Sequence, residues 1–339
     1  MAHDIWSNRF YSARNTPTWH GISLLDTLGI KDNNGTITAG RVMEMMGNPT
    51  VERVPLTYEF NGRLHNSGYD ALMRPAMMDD PIDMHIGVVS AEYELITPAV
   101  VADIWDTQVG LPVETLAFLK RGATVFITGK LPAFDVAGEP VENYLICNNP
   151  MDGKNSASGH VANIRVVCQN TLRAAMNNSS STFKIEHRKG SAIALAKWLG
   201  ETYQSALMTL DVMKEAYNIL AKKRVERVQV EWIVTDLYPY PQFPDPEKPR
   251  TIEWDTVIKG YEYRLDWVER ARKTVLRLYD GAGTGLDNRA TESTAWGAWN
   301  AVAEFETYRR GTADSLALNV IDGDRGQVIM RAFDELVKV

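Results

Sequence analysis

A chain of 339 residues, 45% hydrophobic and 23% charged, is long enough for one large or two ordinary cores and excludes the disordered and fibrous classes. Its two cysteines, Cys147 and Cys168, exclude a disulfide framework, and no cysteine or histidine spacing pre-arranges a zinc site, so neither a metal nor a cofactor is expected. The net charge of −7 argues against general duplex-DNA binding, and no apolar run reaches membrane-spanning length, so a cytoplasmic protein is expected.

In chain order, TPTWHG at 16–21 reads as a loop, and Thr38 can cap a short helix, AGRVMEMM, that ends at Gly47. The strand signal of VPLTYEF runs into Asn61-Gly62, the pair favoured in a type I′ hairpin turn, and on into RLHNSGY. A second strand region, HIGVVSAEYELI, ends where Thr97 and Pro98 can cap and start the helix AVVADIWDTQVG. Val113 to Asn148 reads as a meander with turns at Arg121-Gly122 and at Gly138. Ile164 to Cys168 is a further short strand. It passes through Gln169 and Asn170 into a predicted helix over Thr171 to Met176, whose unpaired first-turn amides would suit an anion.

After Gly190 the pattern becomes helical. Leu199, Tyr203, Ala206, Leu210, Met213, Tyr217 and Leu220 recur at alternating spacings of four and three, the seam of a heptad. Such a seam wants a partner, either within its own helical domain or in another protomer, and a homo-oligomer is the expectation. A proline-rich connector, YPYPQFPDPEKP at 238–249, cannot continue a helix and precedes three more helical patterns: Asp255 to Tyr279, Thr294 to Arg310, and about Ala313 to Lys338. The glycine-rich GAGTGLDN at 281–288 lacks the strand and the Gly-Lys-Ser/Thr ending of a phosphate loop and reads as a helix cap and linker. The fold class expected is α+β, with an antiparallel β-sheet-rich N-terminal half (1–190) and a helical C-terminal half (191–339).

Between Lys154 and Lys189 the charge balance reverses: Lys154, Arg165, Arg173, Lys184, Arg188 and Lys189 face a single carboxylate, Glu186, among many Asn, Gln and Ser side chains. That is the composition of a surface that follows a phosphate backbone, with Phe183 and Tyr144 as aromatics that would stack on unpaired bases. With Asn170 at the helix start, these six cations form the candidate contact set for single-stranded nucleic acid. Alternatively, the cations pair with Glu92, Glu94, Asp79, Asp80 or Asp83. No nucleophile elbow, metalloprotease helix or kinase loop set is present. Asp79-Asp80 and Asp152-Gly153 read as turns, so no catalytic residue is assigned.

Together TPTWHG, HIGVVSAEYELI, RVVCQNTLRAA and TAWGAWNAVAEFETYRRG, in that order, resemble the phage/plasmid-like protein family built on domain of unknown function 932. The resemblance supplies no catalytic residues. It implies a bacteriophage or mobile-plasmid setting in a bacterial host, where DNA annealing and recombination are common tasks. The function expected is therefore non-catalytic binding of single-stranded DNA by an oligomer, with a host-factor-binding protein as the alternative and an enzyme with an unrecognised site as the third reading.

Overall fold

The structure, a computed structural model, describes residues 6, 9–13, 30–31, 37–165, 172–173, 182–246, 252–283, 293–308 and 324–339. The chain is α+β. Among the described residues its main sheet has eight strands: β1 (Phe10–Ser12), β2 (Ile30–Lys31), β6 (Val113–Leu119), β7 (Thr124–Val136), β8 (Glu139–Pro150), β9 (Ala157–Arg165), β10 (Leu172–Arg173) and β11 (Thr182–Ile185). Seven follow the order β10-β9-β8-β7-β6-β1-β2, and β11 also pairs with β9. Strands β6 to β9 form the expected antiparallel meander, whereas β1 and β2 run parallel. A separate three-stranded sheet holds β3 (Glu52–Phe60), β4 (Arg63–Arg74) and β5 (Met84–Ser90).

The local signals for the first helices hold. In helix α1 (Ala39–Met45) the Thr38 hydroxyl accepts from the Arg41 amide at 3.2 Å, and the Asp106 carboxylate accepts from the Ala39 and Gly40 amides at 2.8 Å each. Helix α2 (Pro98–Ile104) starts at Thr97-Pro98 and passes into a π turn (Trp105–Val109) that Gly110 ends with φ +66°. Asn61 and Gly62 both have positive φ, as a type I′ turn requires, and connect β3 to β4. The strand read through Ile96 stops at Ser90, because Tyr93 and Glu94 turn away to pair with residues 187–192.

Helix α3 (Ser191–Lys222) carries the heptad seam, and the seam is buried inside its own chain. Leu199, Ala206, Leu210, Met213, Tyr217 and Leu220 are buried and Tyr203 is half-buried, with the helix lying against β7, β9 and β11. The Tyr217 ring sits 5.9 Å from Phe134, 5.2 Å from Trp296, 5.3 Å from Trp299 and 6.2 Å from Phe333. Those partners come from β7, α6 (Ala295–Tyr308) and α7 (Asp324–Lys338); the described residues of the helical half also form α4 (Arg227–Leu237) and α5 (Trp254–Arg277). One buried cluster runs through both halves, so the side chains read as an oligomer seam are spent on intrachain packing.

The N-terminal segment is fastened by cations. Trp6 lies under the guanidiniums of Arg74 (3.9 Å) and Arg9 (5.0 Å) and donates from Nε1 to Asp80 at 2.7 Å. Arg74 pairs with Asp80 and Arg9 with Asp79, each at 2.6 Å. The Arg74 guanidinium, assisted by Trp6, outweighs burial and holds the Asp80 carboxyl below its ordinary value of 3.8. A folded-state pKa below the unfolded one gives stability that is present above the unfolded value and lost as pH falls through the lowered one. We expect melts between about pH 2 and pH 6 to show Asp80→Asn losing less stability on acidification than the wild type. Equal acid slopes would show that the latch contributes nothing.

Candidate nucleic-acid interface

Where the end of β5, the start of β3 and the residues before α3 meet, they enclose an open cleft of about 1080 Å³ lined by Val51, Glu52, Arg53, Ala91 to Leu95, Arg188 and Lys189. Its walls are joined through backbone and rings. Tyr93 and Arg188 form an isolated antiparallel bridge, the Glu94 amide donates to the His187 carbonyl at 3.2 Å, and the Tyr93 and His187 rings stack at 5.0 Å and 22°. The His187 Nδ1 lies 3.2 Å from the Glu94 carbonyl, which can only accept, so Nδ1 carries the proton. Burial, only partly offset by that contact, holds the imidazole below its usual range and therefore neutral at pH 7. Burial likewise raises the Tyr93 phenol, helped by nearby Asp152. Both rings are uncharged, and Tyr93 lines the cleft.

Glu52 and Glu92 are exposed carboxylates of the cleft lining, and its other charged groups divide into spent and available. The Arg53 guanidinium is spent: it donates to Asp70 from Nε at 2.8 Å, to the Tyr93 carbonyl at 2.7 Å and to the Ser90 carbonyl at 3.2 Å. Glu94 is spent too, accepting from the amides of Gly190, Ser191 (3.1 Å) and Ala192 (3.2 Å) at the start of α3. This carboxylate fills the amide site at the long helix's N-terminus. Among the described residues the Arg188 side chain is held by Glu186 alone, at 2.8 Å, with both side chains more than two-thirds exposed, a geometry that contributes little and is easily exchanged for another anion. Lys189 is exposed and makes no ion pair among the described residues.

Next to this lip lies the loop after β8. A Cβ on Gly87 of β5 would come within 2.5 Å of the Asp152 carbonyl, so strand and loop touch. Asp152 accepts from the amides of Lys154 and Asn155 at 2.9 Å each and from the Asn155 side chain at 2.6 Å. Burial alone would raise its pKa, but those donors outweigh burial and hold it lowered. Lys154 projects from the loop without an ion pair among the described residues. On β11, Lys184 points outward between buried Phe183 and Ile185 and is paired across the ladder with Ser158.

The sequence-read contact set thus divides. Arg188 and Lys189 line the cleft, Lys154 stands on the loop before β9, and Lys184 stands on β11 opposite Ser158. Arg165 ends β9, and Arg173 on β10 pairs with Ala162, which puts their backbones about 17–27 Å along the strand from Ala157. Leu172 and Arg173, read as part of a helix, are strand: the ladder with Asn163 and Ala162 wins over local helical periodicity. Asn170, Cys168 and residues 174–178 lie outside the described residues. Tyr144 is fully buried and Phe183 sits over Gly159, so neither can stack on a base.

Of the carboxylates named as possible partners for these cations, four are engaged elsewhere and Glu92 shares the cleft with Arg188 and Lys189. Asp79 holds Arg9, Asp80 holds Arg74, Asp83 accepts from the Ala76 amide at 2.7 Å, and Glu94 caps α3. Reasoning from the sequence missed Arg53 and Tyr93, and it missed the aromatics of the β3–β4 hairpin. The available signal was Tyr58 and Phe60 two residues apart before Asn61-Gly62. Alternation shows that they share a face and says nothing about whether that face is covered.

Among the described residues, no group of three or more His, Cys, Asp or Glu is placed to hold a metal ion, and no helix is long and apolar enough to cross a membrane. Burial pushes the Cys147 thiol up to about 12, so it is not a nucleophile at neutral pH. A family model described as Domain of unknown function (DUF932) matches residues 85–320. No curated protein and no solved structure matches the chain.

Proposed function

Because the chain belongs to the DUF932 family, whose description names no reaction, we propose its function from the site: it binds single-stranded nucleic acid at the lip of the cleft. The observation that supports this reading is the exposed pair Arg188 and Lys189 at the cleft, with exposed Lys154 on the loop that touches β5, while Asp79, Asp80, Asp83 and Glu94 are used elsewhere. A strand at this lip meets few cations on a protein of net charge −7, too narrow a positive strip to embrace a duplex. Assistance to annealing or recombination, in the phage or plasmid setting that the sequence resemblance implies, is the role that such binding would serve.

Phosphate contacts release counterions, and single strands contribute about −0.7 to the slope of log affinity against log salt for each phosphate neutralised. Three cations, Arg188, Lys189 and Lys154, limit the slope to about −2. We expect anisotropy with a labelled oligothymidylate to give a slope of that size, and Lys189→Gln with Arg188→Gln to make it shallower by about 1.4 with little change in melting temperature. A wild type that binds no strand at low salt, or an unchanged slope in the double variant, would remove the lip as a phosphate site.

A further inference from the structure

From the far side of the cleft the β3–β4 hairpin extends with neither face of its tip covered. Thr57 to Phe60 and Arg63 to Asn66 are all exposed, including Tyr58 at 54% and Phe60 at 62%. Exposed aromatics of this size cost solvation unless something covers them. Cross-strand pairing decides which side chains stand together. Tyr58 is opposite His65 and Phe60 opposite Arg63, so these four share a face, while Glu59 and Leu64 pair on the other. The Tyr58 and His65 rings stack at 5.4 Å and 19°, and Phe60 meets His65 edge-on at 6.5 Å. Glu59 is the only carboxylate between Val54 and Tyr69, and it lies on the opposite face.

One face therefore offers flat π surface with a guanidinium beside it and no acid. We infer that this hairpin face is a base-stacking platform for the same single strand, Tyr58, Phe60 and His65 taking bases while Arg63 meets the backbone. Single-stranded nucleic acid fits this chemistry because each nucleotide presents a π face and a phosphate together. A protein partner would have to supply both an apolar face and a carboxylate placed for Arg63, whereas every nucleotide of a strand carries the π face and the anion at a fixed spacing. The distance also suits: Arg53 at the cleft and Tyr58 are five residues apart, at most about 17 Å along a strand, so one short oligonucleotide reaches both.

This inference rests on the binding reading above, and the test separates the two. Wild type, Tyr58→Ala/Phe60→Ala and Arg188→Gln/Lys189→Gln are each titrated with labelled oligothymidylate and with an abasic strand of equal length and charge, and each protein's mass is measured by light scattering. We expect the wild type to prefer the thymidylate about tenfold or more, the hairpin variant to lose that preference at an unchanged salt slope, and the lip variant to keep the preference at a shallower slope. A Tyr58→Phe variant should keep most of the preference, since the ring remains. Wild type binding neither strand overturns the binding reading and the platform with it. Equal binding of both strands, or a hairpin variant that keeps the preference, overturns the platform alone. So does a hairpin variant whose preference is intact but whose mass falls from an assembly to the 38.0 kDa chain, which would assign the face to a second copy.

Discussion

Met213→Lys unfolds the protein rather than separating subunits. Met213 lies on the buried stripe of α3 with Leu210 and Tyr217, and that stripe faces the chain's own sheet and helices. An ammonium placed there leaves water without a partner, which costs several kcal/mol even after relaxation. Domains of ordinary stability hold about 5–15 kcal/mol in total. The expected result is a large fall in melting temperature with loss of near-ultraviolet circular dichroism, and no shift from an oligomer to a folded 38.0 kDa species in light scattering. Leu210→Lys should behave the same way. A folded monomer at wild-type melting temperature would show that the seam is an interface after all.

Glu94→Ala should both destabilise α3 and loosen the lip. The carboxylate comes from the segment between β5 and α2, more than ninety positions before the amides of Gly190, Ser191 and Ala192 that donate to it. Charge-assisted bonds to a helix's first turn count roughly 1.5–3 kcal/mol each when dry and less where water can replace the acceptor. Because these amides are only part-buried, a total loss of about 2–3 kcal/mol is expected for Ala. Gln keeps an acceptor oxygen and should lose about half as much. Hydrogen exchange would report the local effect, with amides 190–192 losing protection first. Since the same contact tethers the residues that directly follow Arg188 and Lys189, strand affinity should fall further than stability alone explains. Unchanged protection at 190–192 would show that the cap is not formed in solution.

Local chemistry was legible in the sequence wherever the cause is local. Thr38, Thr97-Pro98, Asn61-Gly62, Arg121-Gly122, Gly138 and the helical apolar face of 199–220 each turned out as read, because caps, turns and periodic faces act over a few residues of chain. The antiparallel meander followed from the same signals, and so did the α+β class. The candidate site was only half legible. Lys154, Lys184, Arg188 and Lys189 were found as a local reversal of charge. Their separation from the backbones of Arg165 and Arg173 is set by β9, which carries the chain away from the cleft.

By itself, then, the sequence determined the elements, the direction of their apolar faces and the excess of cations between Lys154 and Lys189. Tertiary structure alone decided what covers each face. The α3 seam is satisfied by Phe134, Trp296 and Phe333, which lie distant in sequence, and Glu94 reaches a helix start that no spacing rule connects to it. Leu172 and Arg173 became strand because a ladder beside β9 satisfies their backbone groups better than a short helix does. Periodicity gives the same pattern for a face that packs and for one that stands in solvent. That is why Tyr217, buried, and Tyr58, exposed, could be told apart only once long-range contacts were in place.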